Sequence, residues 1–354
     1  MKIKLAILDR DTSYLNRIVS AFSARYADKF EIYSFTDEAV AMDTLNQAKI
    51  DVLVASDLFD IDVTKLPRRC SFAYFVESAD VESVNGQRAI CKFQKADLIY
   101  RQILSAFSEN AGSISGLKFD GESSKIIAFC SVSGGVGGSS MAAACAVHFA
   151  AKGHKTLYLN LEKFGATDVF FHGEGQFDMS DIIYALKSKK ANLAMKLESC
   201  AKQDKTGVHF YSQTKIALDM LELGTEDILR LISEIKISGI YDYIILDLDF
   251  GIDKNTLEIL KQTHAIVWVG DGEEISNAKI FRAFTALTTM EQNADVPVNS
   301  RIKLIYNKFS NKTGKSVDEI GLKSIGGAPR YEHASTADVI RQLSSLDAFD
   351  KIIS

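Results

Sequence analysis

Residues 126–153 read IIAFCSVSGGVGGSSMAAACAVHFAAKG, and this stretch decides the fold of the second half of the chain. The apolar run predicts a buried strand, the Gly/Ser-rich run a tight loop, and the small-residue stretch a helix. A glycine-rich loop between a strand and a helix can turn successive backbone N–H groups towards one anion, and the helix dipole favours the same anion. The pattern therefore predicts a phosphate cradle; the alternative is a glycine-rich turn without a ligand.

Length and charge narrow the class of protein. The chain has 354 residues, which favours two domains. Its formal net charge of -5 argues against a nucleic-acid-binding protein, because such proteins usually present a basic surface. The five cysteines form no C-x-x-C pair, and no apolar run approaches the roughly 20 residues of a membrane span. The composition predicts a cytoplasmic protein in a reducing compartment.

The first hundred residues predict a parallel α/β domain. Short apolar runs alternate there with helical patterns, which is typical of a parallel sheet. The runs are Ile3–Leu8, Ile50–Ala55, Phe72–Val76 and Ala89–Cys91. Residues 109–124 are rich in Ser and Gly and lack apolar periodicity, so they are the predicted linker between a domain of residues 1–108 and one of residues 125–354.

Polar residues at strand ends give the first domain a resemblance to response-regulator receiver domains, which are flavodoxin-like. Asp9 and Asp11 follow the first strand, and Lys92 ends the last one. Where such domains carry a phosphoacceptor aspartate, this chain has Ser56, with Asp57 one residue later and so directed to the other face. The interpretation is a pseudo-receiver used for docking. A phosphorylated switch is the alternative, as is a purely structural role of the two N-terminal aspartates in turns and caps.

The glycine loop resembles the deviant K-G-G-x-G-K-[ST] loop of the MinD/ParA superfamily of P-loop ATPases. It reads Ser133-Gly134-Gly135-Val136-Gly137-Gly138-Ser139 and continues with Ser140. The glycines and the hydroxyl match, but Ser133 and Gly138 replace both lysines of the pattern. The resemblance implies that these eight residues bind ATP and that Ser139 is a ligand of Mg²⁺. Because phosphoryl transfer depends on cationic stabilisation, the missing lysines predict secure binding with slow or absent hydrolysis.

Two acidic residues fall in the order expected of this superfamily. Asp247 ends the apolar run YDYIILD, which looks like a Walker B strand, and the resemblance implies that it holds Mg²⁺ through water. Glu162 lies in the segment NLEKFG after an earlier strand. Both are the predicted catalytic residues. Glu162 either orients the attacking water or only hydrogen-bonds near the magnesium ion, and the sequence leaves both readings open.

A third set of residues is predicted to contact the adenine base. Asn307 and Lys308 follow a late strand, where the superfamily has an Asn-Arg pair. An asparagine side chain can offer both a donor and an acceptor to an adenine edge. Pro329, Arg330 and Tyr331 lie in a segment similar to the one that closes over the base. An asparagine at a strand end is otherwise a common turn residue.

The C-terminal stretch ADVIRQLSSL places Val339, Ile340, Leu343 and Leu346 on one helical face. MinD reaches membranes through a basic amphipathic tail, but this stretch has acidic residues beside its few basic ones. We therefore expect the helix to pack on its own domain.

The order of the two domains resembles that of TadZ/CpaE proteins of Flp (Tad) type IV pili, in particular the atypical TadZ proteins. The expected fold class is α/β, with a receiver-like domain followed by a MinD/ParA-type P-loop domain that has a mostly parallel sheet. The resemblance implies a homodimer that binds ATP, recruits Tad pilus assembly proteins at the cell pole, can associate peripherally with the inner membrane there, and binds no nucleic acid. The alternatives are an active MinD/ParA-type ATPase that positions flagella or chromosomes, and a DNA-binding partition protein.

Overall fold

The computed structural model describes residues 2–110, 124–189, 192–291, 297–317 and 320–353. These residues form two compact units. Residues 2–110 and the described part of 185–200 make up the first unit, and the rest make up the second. Among the described residues, no helix is both long and apolar enough to cross a membrane.

The first unit is an α/β domain with helices on both faces of a six-stranded sheet. The strands run in the order β2-β1-β3-β4-β6-β5, and only the short β5–β6 pair is antiparallel. They are β1 Ile3–Leu8, β2 Phe30–Phe35, β3 Val52–Ser56, β4 Ser71–Val76, β5 Ser83–Val84 and β6 Gln87–Cys91. The helices are α1 Thr12–Arg25, α2 Glu38–Gln47 and α3 Ala96–Asn110, with a 3₁₀ turn at Val63–Lys65. The predicted parallel α/β domain is confirmed.

A helix from much later in the chain, α7 (Leu193–Cys200), belongs to the first unit because it packs along α3. The buried Lys196 donates from Nζ to Ser105 Oγ at 3.0 Å. The hydroxyl of Tyr100 donates to Glu198 Oε1 at 2.8 Å. This segment lies within the predicted domain of residues 125–354, but long-range side-chain contacts, which no local pattern encodes, attach it to the first compact unit. Most of the predicted linker lies outside the described residues.

The second unit has an eight-stranded sheet in the order β14-β13-β12-β7-β11-β8-β10-β9, in which only the β9–β10 pair is antiparallel. This is the mostly parallel sheet that the sequence predicts. The strands are β7 Lys125–Cys130, β8 Thr156–Asn160, β9 Lys202–Gln203, β10 His209–Phe210, β11 Tyr243–Asp247, β12 Ala265–Gly270, β13 Ile302–Phe309 and β14 Ser324–Pro329. The helices are α4 Gly138–Ala151, α5 Thr167–Phe170, α6 Met179–Lys187, α8 Leu218–Leu221, α9 Thr225–Ser238, α10 Lys254–Leu260, α11 Glu274–Met290 and α12 Thr336–Leu343. Two 3₁₀ segments lie at Asn299–Arg301 and Asp347–Ile352.

Strand β7 and helix α4 form the centre of the second unit. Residues 126–130 are buried, and β7 pairs with β11 on one side and β12 on the other. Eight residues of α4 are buried, and most of them are small. A helix of small side chains can approach a sheet closely, so α4 is buried on several sides at once. This packing holds the connecting loop at the carboxyl edge of the sheet, where open α/β folds bind ligands.

The C-terminal elements complete the core around α4. Ile340, Leu343 and Phe349 are buried in the same apolar cluster as the central strands, and Val339 and Leu346 pack against it. The prediction that this helix packs on its own domain is confirmed.

Candidate phosphate-binding site

The loop between β7 and α4 is a tight turn built on glycine. Gly135 and Gly137 have φ angles of +77° and +89°, and Gly137 is the N-cap residue directly before α4. Other residues adopt this left-handed region only at a cost. A cavity of about 360 Å³ lies over the loop. It is lined by Cys130, Ser131, Ser133, Gly134, Gly135, Val136, Gly137, Gly138, Ser139, Ser140, Glu162, Asp247, Leu248, Asp249 and Phe250.

The hydroxyls of this cavity fit an anionic ligand. Ser131 Oγ and Ser133 Oγ are buried but have no hydrogen-bond partner among the described residues. Buried hydroxyls are normally satisfied, so two orphans beside the N-terminus of a 14-residue helix indicate a missing acceptor. A phosphate group supplies such acceptors. None of the described lining residues is a lysine or arginine.

The opposite wall of the cavity is an acidic network. Asp247 ends β11 and is paired in register with Asn160, the last residue of β8. Tyr158 donates its hydroxyl to Asp247 Oδ2 at 2.6 Å, and Asn160 Nδ2 lies 3.2 Å from the same oxygen. Asn160 Nδ2 also lies 3.1 Å from Glu162 Oε2, and Ser139 Oγ lies 3.3 Å from that oxygen. The parallel register thus brings both predicted acids to the predicted magnesium ligand Ser139.

Asp247 holds its proton unusually tightly. Burial raises the pKa of its carboxyl to about 8, and the negative charge of Glu162 adds to the rise. Hydrogen bonds from Tyr158 and Ser139 favour the ionised form but do not offset the burial. Carboxylates and hydroxyls are the oxygen ligands that Mg²⁺ prefers, and a cation beside Asp247 would lower this pKa.

The Asp247→Asn variant, free of nucleotide and magnesium, is expected to unfold at a higher temperature than the wild type at pH 9 but not at pH 4. The pKa of Asp247 is raised above its ordinary value of 3.8, so the folded chain binds this proton more tightly and loses stability as the pH rises from about 4 to 8. The Asp247→Asn variant has no carboxyl at this position, so it does not lose this stability as the pH rises. Each kcal/mol recovered shifts the melting temperature by about 2–4 °C for a domain of this size. Calorimetry in EDTA measures the shift, and an equal gain at both pH values would contradict the assignment.

The residues predicted to contact the adenine base do not lie together. Asn307 Nδ2 donates to the carbonyl of Val136 at 2.9 Å, and Lys308 Nζ donates to the carbonyl of Gly135 at 2.7 Å. Both therefore contact the loop directly. Pro329 lines a different cavity of about 350 Å³, between β13 and β14. Arg330 and Tyr331 line neither cavity.

The carboxyl edge of the first sheet carries a different polar cluster. Lys92 and Asp9 form a buried ion pair with Nζ and Oδ2 2.5 Å apart. Ser56 is fully buried, with its Oγ 3.4 Å from Lys92 Nζ, whereas Asp57 is exposed. Asp11 caps α1 by accepting from two backbone N–H groups of its first turn. The lysine therefore faces a hydroxyl at the position where receiver domains carry their phosphoacceptor.

Comparison with known families agrees with the receiver-like fold of the first domain. Residues 1–108 match the family model described as "TadZ-like, receiver domain". The first domain is thus similar to the receiver domain of TadZ-like proteins. No protein of curated function matches the chain in sequence.

Solved structures give the fold of the second domain. The chain is similar to a ParA family ATPase from Chlorobium tepidum TLS, with 22% identity, a TM-score of 0.51, and coverage of 65% of this chain and 96% of that one. It is also similar to the septum site-determining protein MinD complexed with Mg-ADP from Pyrococcus horikoshii OT3, with 16% identity, a TM-score of 0.50, and coverage of 65% and 94%. A TadZ-like receiver domain followed by a MinD/ParA fold is the expected TadZ/CpaE arrangement, and this resemblance is confirmed.

The residues that sequence reasoning missed include Ser131 and Phe250, which line the cavity, and Tyr158, which contacts Asp247. Tyr158 is buried and contacts Asp247, and its position two residues before Asn160 on a strand could have placed it on the same face. Ser131 follows β7 directly, but no motif position pointed to it. Phe250 lines the cavity beside Asp249, whose Oδ2 accepts from the backbone N–H of Lys163 at 3.0 Å.

Proposed function

We propose that the chain binds ATP with Mg²⁺ over this loop and acts as a homodimeric localisation and assembly factor of the Flp (Tad) pilus machinery at the cell pole, with slow or no hydrolysis. The observation that carries the nucleotide part is the loop itself, because all eight residues from Ser133 to Ser140 line the cavity. The TadZ-like receiver domain supports the pilus part.

In this proposal the nucleotide is held without a lysine. The backbone N–H groups of residues 134–140 and the orphan hydroxyls of Ser131 and Ser133 face the phosphates. Ser139 and Asp247 hold Mg²⁺, which when bound neutralises part of the phosphate charge. Pro329, Arg330 and Tyr331 remain the proposed adenine contacts.

Two features of the cavity support slow hydrolysis. Its described lining offers no cationic side chain to a phosphoryl group in transfer, and such charge stabilisation is usually the largest catalytic contribution. Glu162 is also engaged, since its Oε2 lies within hydrogen-bond distance of both Asn160 Nδ2 and Ser139 Oγ. A carboxylate oxygen that already accepts from two donors is less available to orient a water molecule.

Glu162 also favours the second candidate, an active MinD/ParA-type ATPase that regulates flagellar or chromosome positioning. Its carboxylate stands beside Ser139, where it could orient a water molecule once the nucleotide rearranges its partners. The two candidate functions differ in one measurable respect, namely whether bound ATP is hydrolysed rapidly.

Apolar side chains around the cavity support a homodimer that forms over the nucleotide. Phe164 follows Glu162 closely and is 76% exposed, and Val169 and Ile275 are also exposed large apolar residues. Phe164 follows β8 and Ile275 follows β12, so both lie at the carboxyl edge of the sheet. Exposed apolar groups around a charged cavity are typical of an interaction surface.

The Phe164→Ser variant is expected to weaken ATP-dependent dimerisation by at least about tenfold, because the change removes an apolar side chain from the proposed interface. Ile237→Ser is the matched control: Ile237 is 60% exposed but lies at the end of α9, towards the opposite edge of the sheet. Sedimentation velocity with Mg-ATP measures the effect. As fluorescent fusions in a piliated host, the wild type and the control should collect at the pole and Phe164→Ser should spread. Equal behaviour of both variants would contradict the proposed dimer face.

A further inference from the structure

Near the end of β13, the side chains of Asn307 and Lys308 donate hydrogen bonds to the phosphate loop. Asn307 is 3% exposed, and its Nδ2 donates to the carbonyl of Val136 at 2.9 Å. Lys308 donates from Nζ to the carbonyl of Gly135 at 2.7 Å. In the sheet, β12 lies between β13 and β7, so both side chains reach over the end of β12 to meet the loop.

The backbone at this point departs from regular strand geometry. Lys308 has a φ of +58°, in the left-handed region that residues other than glycine rarely occupy. The pairing of β13 with β14 shifts register between Tyr306 and Phe309, on either side of it. Such an outlier persists only where surrounding contacts stabilise it, and it is often found at functional sites. The contact that this conformation gives Lys308 is the one to the loop.

The two hydrogen bonds fix the direction of two peptide groups. A peptide unit is planar, with its C=O and the next N–H on opposite sides. The bond to Gly135 O therefore fixes the N–H of Val136, and the bond to Val136 O fixes the N–H of Gly137. Gly135 and Gly137, on either side of Val136, both have positive φ, and glycine allows a peptide to flip at little cost. A flipped peptide would present its carbonyl oxygen to a phosphate and repel it.

We propose that Asn307 and Lys308 are positioning residues that hold the loop ready for phosphate. The proposal rests on the proposed function, ATP binding at this loop. The two side chains donate to the carbonyl oxygens of Val136 and Gly135, which face away from the proposed phosphate position. The ammonium group of Lys308 also places a positive charge beside the loop. Sequence resemblance instead assigns these two residues to the adenine base, and the two roles predict different binding data.

The test compares Mg-ATP with inorganic magnesium tripolyphosphate, which has no base. Lys308→Met keeps the length of the side chain but removes its N–H donors and its charge. We expect it to weaken binding of both probes by a similar factor, about 10–100-fold, as for the loss of a hydrogen bond from a charged donor. Lys308→Arg keeps donors and charge and should restore most of the affinity. A loss confined to ATP would assign Lys308 to the base and overturn the proposal.

Lys312→Met is the matched control for charge. Lys312 is exposed on the loop after β13, and the variant removes the same charge without touching the phosphate loop. It should leave the binding of both probes within about twofold, as most surface substitutions do. An equal loss of affinity in Lys312→Met and Lys308→Met would show that net charge alone causes the effect. That result would overturn the positioning role of Lys308.

A ligand-free readout separates this proposal from the proposed function. Backbone ¹⁵N relaxation of the nucleotide-free protein reports the order of the Val136 and Gly137 amides. Order parameters near about 0.85 are expected in the wild type and Lys308→Arg, and values below about 0.6 in Lys308→Met. If the wild type bound neither probe, the proposed function would fail while this measurement would still decide the anchoring. Equal order in wild type and Lys308→Met would overturn it.

Discussion

Gly137→Ala is expected to weaken Mg-ATP binding by about 100-fold, the combined effect of a strained backbone and a lost hydrogen bond. Gly137 has a φ of +89°, where an alanine side chain is strained by roughly 1–2 kcal/mol. An added Cβ would also collide with Asn307 Nδ2 and approach Lys308 Cε to 3.8 Å. The substitution thus displaces the side chain that holds Val136, and the loop loses the geometry on which phosphate binding depends.

Gly153→Ala is the matched control for that substitution. Gly153 has a nearly equal φ of +86° just after α4, and a Cβ there would meet nothing within 4 Å. The strain of the Gly153→Ala substitution affects only the free energy of folding. Both variants should therefore lose similar stability, whereas only Gly137→Ala should lose affinity for ATP. Isothermal titration calorimetry measures the affinities. Binding by Gly137→Ala within about threefold of the control would show that the loop does not need its observed conformation.

Restoring both lysines, in the Ser133→Lys/Gly138→Lys variant, is expected to raise ATP hydrolysis at least about 100-fold, the size of effect that one preorganised electrostatic group has in other enzymes. Gly138 does not have a positive φ, so a side chain there causes no backbone strain. A Cβ added at Gly138 would meet only Ser131. The Oγ of Ser131 can rotate away, and the Cβ of Ser131 would lie 3.4 Å from the added Cβ. The site can thus accept the side chain. Asp247, Glu162 and Ser139 are already grouped in the wild type.

The control for this variant is Ser133→Met/Gly138→Met, which adds similar bulk without charge. If the missing positive charge limits turnover, the rate of ATP hydrolysis should rise in the double lysine variant but not in the double methionine variant. Equal rates in the two double variants would show instead that another feature, such as the hydrogen bonds that hold Glu162, keeps hydrolysis slow.

Local patterns were sufficient for the central elements of the fold. The apolar run before the glycine loop and the small-residue stretch after it predict β7 and α4, because a buried strand and a buried helix both need apolar side chains along their length. The strand β2, Phe30–Phe35, escaped prediction because it is an edge strand with several exposed residues, so its apolar residues form no continuous run.

Long-range contacts decide what the sequence could not show. Tyr100 and Glu198 are 98 positions apart, and their hydrogen bond helps to attach α7 to the first unit. Nothing in the local pattern of α7 distinguishes it from a helix of the second unit. The predicted acids Glu162 and Asp247 do meet at one cavity, because parallel strands end at the same edge of the sheet. The anchoring of the loop by Asn307 and Lys308 depends on side-chain directions that spacing does not specify.

The most direct test of a binding site with little turnover is a single-turnover experiment with radiolabelled Mg-ATP and wild-type protein in excess. The account predicts that ATP is bound in a magnesium-dependent manner and is recovered largely unhydrolysed after many minutes. Typical enzymes turn over at about 1–1000 s⁻¹, and an ATPase working at such a rate would consume one equivalent well within that time. Rapid hydrolysis that Glu162→Ala abolishes would contradict the scaffold role and establish the chain as a working ATPase.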